Sequence, residues 1–180
     1  MKATGIVRRI DELGRIVIPK EIRKTLRIRE GDPLEIFTDN DGGVILKKYS
    51  KIGEMGHFSD QCAKAMAQST GYVSLITDRD EILATAGTKR KEIEGKRISR
   101  DLDNLISDRE ILIASKGDKR FIDVADDVRE FNYEIIYPII SDSDVVGSIV
   151  LLGKDGNSMT SDAALKVASC GALFMGMHIE

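Results

Sequence analysis

The chain has 180 residues, 42% of them hydrophobic, and a formal net charge of −3, a balance ordinary for a globular protein of one domain or two small ones. No apolar run approaches the roughly 18 residues of a membrane span, and the N-terminus lacks a signal-peptide core, so a cytoplasmic protein with no membrane partner is expected. Cys62, Cys170, His57 and His178 are isolated from one another, which leaves no metal-ligand spacing and no reason to expect a metal or cofactor.

The charge is unevenly placed. Nine Lys and Arg fall between Lys2 and Arg29 against only Asp11, Glu12 and Glu21, a local charge of +6, so the rest of the chain carries −9. One end is suited to a polyanion and the other is not.

Ile6 to Ile10 alternates with a period of two and predicts a strand. Asp11 to Gly14 reads as a turn with Gly14 at positive φ, and Arg15 to Ile18 as a second strand, making a hairpin. Pro19 opens a short helix with Ile18, Ile22 and Leu26 on one face and Lys20, Arg23, Lys24 and Arg27 on the other. Gly31 is the candidate left-handed cap, and Pro33 prevents continuation. Leu34 to Thr38 and Val44 to Tyr49 form a second hairpin across Asp39 to Gly43. Fifty residues bury too little to stand alone, and with neither metal nor disulfide the expectation is an intertwined homodimer through residues 1–50.

The run TGIVRRIDELGRIVIPKEIRKTLRIREGDPLEIF, followed by ILKKY, resembles the AbrB family of bacterial transition-state regulators. The DELGR and VIPKEIRKTL segments carry the likeness, which covers about the first 50 residues. It implies a swapped-hairpin dimer that binds double-stranded DNA. Arg8, Arg15, Arg23 and Lys24 occupy the family's DNA-contacting positions, with Lys2, Arg9 and Lys20 as secondary contacts. The last of the four main positions is often Arg; Lys24 keeps the charge but loses the two-pronged geometry, which leaves phosphate contact intact. The competing reading of these cations is a solvated face. So short a basic helix cannot fill a major groove, so shape-weighted DNA preference is expected.

Residues 51–56 hold two glycines without a regular period and read as a linker. Residues 57–180 then predict a second domain. His57 to Thr70 has helical spacing and ends at Gly71; Tyr72 to Asp78 and Ile82 to Ala86 form a hairpin; Ile98, Leu102, Leu105 and Ile106 mark a helix. Ile111 to Ala114 and Phe121 to Val124 are weaker strand candidates. Tyr133 to Ile140 and Val145 to Leu152 are the strongest strands, Pro138 suggesting a bulge or an edge. A last helix runs from about Thr160 to His178. This order of elements resembles a GAF domain, an antiparallel sheet flanked by helices, so the fold class expected overall is α+β. Within the AbrB family, a second globular domain is a feature of its sporulation regulators, which implies a nucleoid-associated activator and repressor acting in the forespore.

The last helix is apolar around much of its circumference. Leu165, Ala168, Ala172, Met175 and Ile179 form one stripe, and two readings stand: burial within one domain, or a seam between domains of two dimers, giving a homotetramer. Resemblance to GAF domains also implies a small-molecule sensor, but no residue names a ligand, and an assembly module without one is the alternative. No nucleophilic triad, paired-carboxylate motif or phosphate-cradling loop appears, and Cys62 and Cys170 read as helix-face residues, so no catalysis is expected. The rival class is an antitoxin that uses the same N-terminal fold, though Tyr133 to His178 is too apolar for the disordered tail expected of one.

Overall fold

The computed structural model describes residues 4–87, 92–126, 128, 130–154 and 161–179. It divides into two units, Met1–Tyr49 and Ser50–Glu180.

In the first unit, α1 spans Lys20–Thr25, β1 Leu34–Thr38 and β2 Val44–Lys48. Pro19 stands just before α1, its carbonyl accepting the Arg23 N–H. The helix ends on Arg27, at φ +52°, with the Ile28 N–H reaching back to the Arg23 carbonyl at 2.8 Å, a Schellman-type closure. The left-handed cap is therefore Arg27; the expected one, Gly31, takes its φ of +86° later in the turn. Strands β1 and β2 pair from Leu34↔Lys48 to Thr38↔Val44, and Asp39 closes their turn by accepting the Gly43 and Asp41 N–H groups at 2.6 and 3.1 Å.

The expected first hairpin is only partly present. The Asp11 N–H donates to the Arg15 carbonyl and Gly14 sits at φ +76°, so the turn closes. Ile6 to Ile10 and Arg15 to Ile18 nevertheless form no strand. A period of two says that a segment suits a sheet, not that the chain owns the neighbouring edge. Val7 is 84% exposed, and Ile10, Leu13, Ile16 and Val17 are also in contact with solvent.

The second unit contains α2 (Gly56–Thr70), β3 (Val73–Thr77), β4 (Ile82–Ala86), α3 (Arg100–Ser107), β5 (Leu112–Ser115), β6 (Tyr133–Ser141), β7 (Asp144–Gly153) and α4 (Ser161–His178). The five strands form one antiparallel sheet in the order β4-β3-β7-β6-β5. Helices α2 and α4 cover one face, packing Ala63, Met66, Ala168 and Met175 on Ile76, Ile135 and Ile149. Helix α3 and the segment around 121–131 cover the other, where Leu102, Ile106, Val124 and Phe131 meet Leu75, Leu112, Ile136 and Val150. Ser99 caps α3 by accepting the Leu102 N–H, and Gly71, at φ +72°, terminates α2.

Two expectations are corrected here, and the one attached to Pro138 is met beside it. Residues 51–56 are not a free linker: Ser50 begins a turn that continues as a 3-10 helix over Gly53–Met55, and Ile52 is wholly buried in the α2/α4 core. Phe121 to Val124 forms no strand; the Val124 carbonyl accepts the Ser99 N–H at 2.9 Å, and Ala125 just beyond makes the isolated bridge to Ile98. Pro138 lies in interior strand β6 opposite Ser148 of β7, beyond the last residue that pairs with β5, and the expected bulge follows one step on, where the register slips between Ile139 and Ile140.

Among the described residues one charged side chain is fully buried. Glu134 of β6 accepts the Ile122 N–H at 2.9 Å through Oε1, while Oε2 has no partner. Burial drives its carboxyl up, the Ile122 bond opposes this, Asp123 adds to it, and the pKa stands at about 7.

Candidate nucleic-acid interface

Asp11 is what orients the basic turn. Its Oδ1 accepts the Arg15 and Leu13 N–H groups at 2.7 and 3.0 Å, and its Oδ2 accepts Arg15 Nε at 2.8 Å. The Arg15 backbone and then its side chain hold the Asp11 carboxyl below the usual carboxylate value. The Arg15 guanidinium is thereby aimed, yet 70% of its side chain remains exposed and its Nη groups stay available to an anion. The sequence reading placed Asp11 in the turn but missed this role; an Asp four residues before an Arg across a Gly turn is the signal that carries it.

Arg8 and Arg9 are exposed on the approach to the turn, with Arg8 Nη1 donating to the Val7 carbonyl at 3.1 Å. On α1, Lys20 and Lys24 are exposed, whereas Arg23 is half-buried and reaches Glu30 at 3.7 Å. Lys2 lies outside the described residues. The cations thus form two groups within the first unit, one on the turn and one on the helix. Lys47, which lies 4.7 Å over the Phe37 ring on the second hairpin, is a further exposed cation that the sequence reading did not select.

At the other end of the chain, the stripe expected as an oligomer seam is core. Ala168, Ala172, Met175 and Ile179 are buried and Leu165 half-buried within their own unit, facing the sheet. Small residues let α4 lie that close, since a Cβ on Gly171 would come within 2.9 Å of Ile149 and of Met66, and one on Gly176 would run into the Ile140 carbonyl. The outward face instead carries Leu173, Phe174 and Met177, all exposed, with exposed Ile140 on β6. Phe58 of α2 stacks on His178 at 4.8 Å and tilts against Phe174 at 5.5 Å.

An antiparallel sheet covered by helices on both faces, preceded by a separate small unit with a cationic turn and helix, defines a two-domain AbrB-type regulator with a GAF-like second domain. Residues 54–180 match the family described as "Stage V sporulation protein T C-terminal, transcription factor", and residues 7–54 match "Antidote-toxin recognition MazE, bacterial antitoxin". The chain is 49% identical over 181 residues to Stage V sporulation protein T of Bacillus subtilis (strain 168), spanning 100% of this chain and 99% of that one. It is 65% identical over 49 residues to the transition state regulatory protein AbrB of the same organism, covering 27% of this chain and 50% of the relative. In solved structures, the GAF domain of an Acinetobacter phosphoenolpyruvate-protein phosphotransferase superposes with a TM-score of 0.58 at 14% identity, over 74% of this chain and 84% of its own, a likeness of fold alone. The chain belongs to the stage V sporulation protein T family of transcription factors. Its first unit is an AbrB-like DNA-binding domain.

Proposed function

We propose that the chain regulates sporulation genes by binding double-stranded DNA, activating some and repressing others, in the forespore nucleoid. The observation that carries this reading is the exposed cation set, Arg8, Arg15, Lys20 and Lys24, in a segment so similar to AbrB. Phosphate contacts from two copies supply affinity, and a few guanidinium groups with groove shape supply selectivity. Residues 1–50 form the DNA-binding part and 57–180 the regulatory part, with 51–56 folded onto the latter.

Dimers pair into tetramers through the second unit. The surface that fits this role is the outward face of α4, Leu173, Phe174 and Met177 with Ile140, because the stripe first expected there is already used inside the domain. The GAF-like domain also senses a small molecule in this reading, and it has no catalytic role. The antitoxin description attached to residues 7–54 suits the chain less well, since residues 54–180 match a transcription-factor family and the sheet beneath them is packed on both faces.

The test is Arg15→Ala in the full chain. Duplex affinity falls by at least about tenfold at moderate salt and the salt slope drops by about 1, with circular dichroism unchanged. Unaltered affinity would refute the interface.

A further inference from the structure

The helix that carries Lys20, Arg23 and Lys24 is poorly seated by apolar contact. No residue of α1 is buried, and Leu26 just after it is 52% exposed, so apolar packing does not fix how the helix lies on the β1–β2 hairpin. Cations that must each meet a phosphate need some other constraint on the element that bears them.

Polar contacts from the end of β2 supply one. Lys48 Nζ donates to the Arg27 carbonyl at 3.1 Å and pairs with Asp32 Oδ2 at 3.3 Å. That same Oδ2 accepts the Arg29 N–H at 2.8 Å. Arg27, at φ +52°, is the residue on which α1 closes, so the ammonium group lies at the negative end of the helix, where a cation is favoured. The Tyr49 N–H, one residue on, donates to the Pro33 carbonyl at 3.0 Å and holds the far side of the same turn. The Arg27–Pro33 turn is thereby clasped to the last rung of the hairpin, Leu34↔Lys48.

Neighbouring lysines on β2 differ in surroundings, as the alternation of a strand requires. Lys47 is exposed over the Phe37 ring, whereas the Lys48 and Asp32 side chains keep only 23% and 11% of their exposure. A pair so sheltered is screened less by salt than a phosphate contact at the surface, so the clasp persists where DNA contacts weaken.

We propose that Lys48 and Asp32 are positioning residues for DNA binding: they hold the C-terminal end of α1 on the hairpin and so place Lys20, Arg23 and Lys24 for phosphate contact, without touching DNA themselves. The charge of Lys48 is directed at Asp32 and the Arg27 carbonyl, inside the unit. Counted by charge alone it would pass for one more DNA contact.

This inference rests on the DNA-binding reading, and the experiment separates the two. Duplex affinity and its salt slope are measured for the full chain on one duplex selected from a random-sequence pool, with circular dichroism alongside. The variants are Lys48→Gln, Asp32→Asn, Lys24→Gln, and Lys48→Gln combined with Lys24→Gln. Alone, Lys24→Gln lowers affinity by about tenfold and the slope by about 1, as loss of one phosphate contact does. Lys48→Gln lowers affinity by at least about tenfold and the slope by more than about 1, because several contacts go although one cation is replaced. In that background Lys24→Gln changes affinity by less than about twofold, since its contact is already lost. Asp32→Asn weakens binding several-fold, although removing a carboxylate near a polyanion would by charge alone tighten it. Additive effects of Lys48→Gln and Lys24→Gln, or tighter binding by Asp32→Asn, overturn the proposal. So does a loss of ordered structure in Lys48→Gln, which would make the residue a support of the fold instead of the helix. A parent chain indifferent to duplex DNA overturns the DNA-binding reading instead.

Discussion

Glu134→Gln should remove a pH dependence that the second unit carries in its core. The carboxyl has a pKa of about 7 when folded against 4.5 when free, so the folded state holds its proton more tightly. Stability from this group is therefore complete below about pH 4.5, falls by about 1.4 kcal/mol per pH unit as pH rises toward 7, and is flat above that. The full loss approaches about 3 kcal/mol, an upper value for one buried charge with a single hydrogen bond. Gln keeps an oxygen for the Ile122 N–H and never ionises. At pH 5 the amide leaves two N–H donors and the protonated acid one O–H donor without a partner at the Oε2 position, so the variant starts behind by about the cost of one such donor, ~1 to 2 kcal/mol. Urea unfolding of the second unit's transition between pH 5 and 8.5 should show the variant behind by about 1 to 2 kcal/mol at pH 5, and the gap moving in the variant's favour by about 2 to 3 kcal/mol by pH 8. A gap between the two that does not change with pH would refute the reasoning.

Asp11→Asn discriminates between charge and aim. Removing a carboxylate beside the DNA site should tighten binding if only net charge matters, whereas loss of the Arg15 clamp should weaken it by a few-fold, and a duplex titration reads the sign directly. For assembly, Leu173→Asp with Met177→Asp should convert tetramers to dimers in light scattering with the circular dichroism of the folded chain unchanged, since both side chains are exposed outside the core; a tetramer that persists removes α4 as the seam.

Elements whose partners lie nearby in the chain were readable from spacing. The β1–β2 and β6–β7 hairpins appear where alternation and turn residues put them, and Asp142 and Ser143 supply the two positive φ values that a tight two-residue hairpin needs. What the residue pattern could not say was which surface each apolar stripe meets. On α4 the small residues Gly171 and Gly176 decide it, because they admit the sheet, and that turns the Ala168, Ala172 and Met175 stripe inward. At the cationic turn the residues were named, but the Asp11 clamp depends on a bend that composition only hints at. The 51–56 stretch misled for a similar reason. Two glycines suggest slackness, yet Ile52 beside them is apolar enough to anchor the whole segment.

The apolar side chains left in water along Ile6 to Ile18 have a thermodynamic consequence. If two copies of this half interlock as proposed, folding and association are one equilibrium governed by mass action, so its midpoint of unfolding rises with protein concentration. In that reading the DNA-reading part of the regulator exists only to the extent that chains have met.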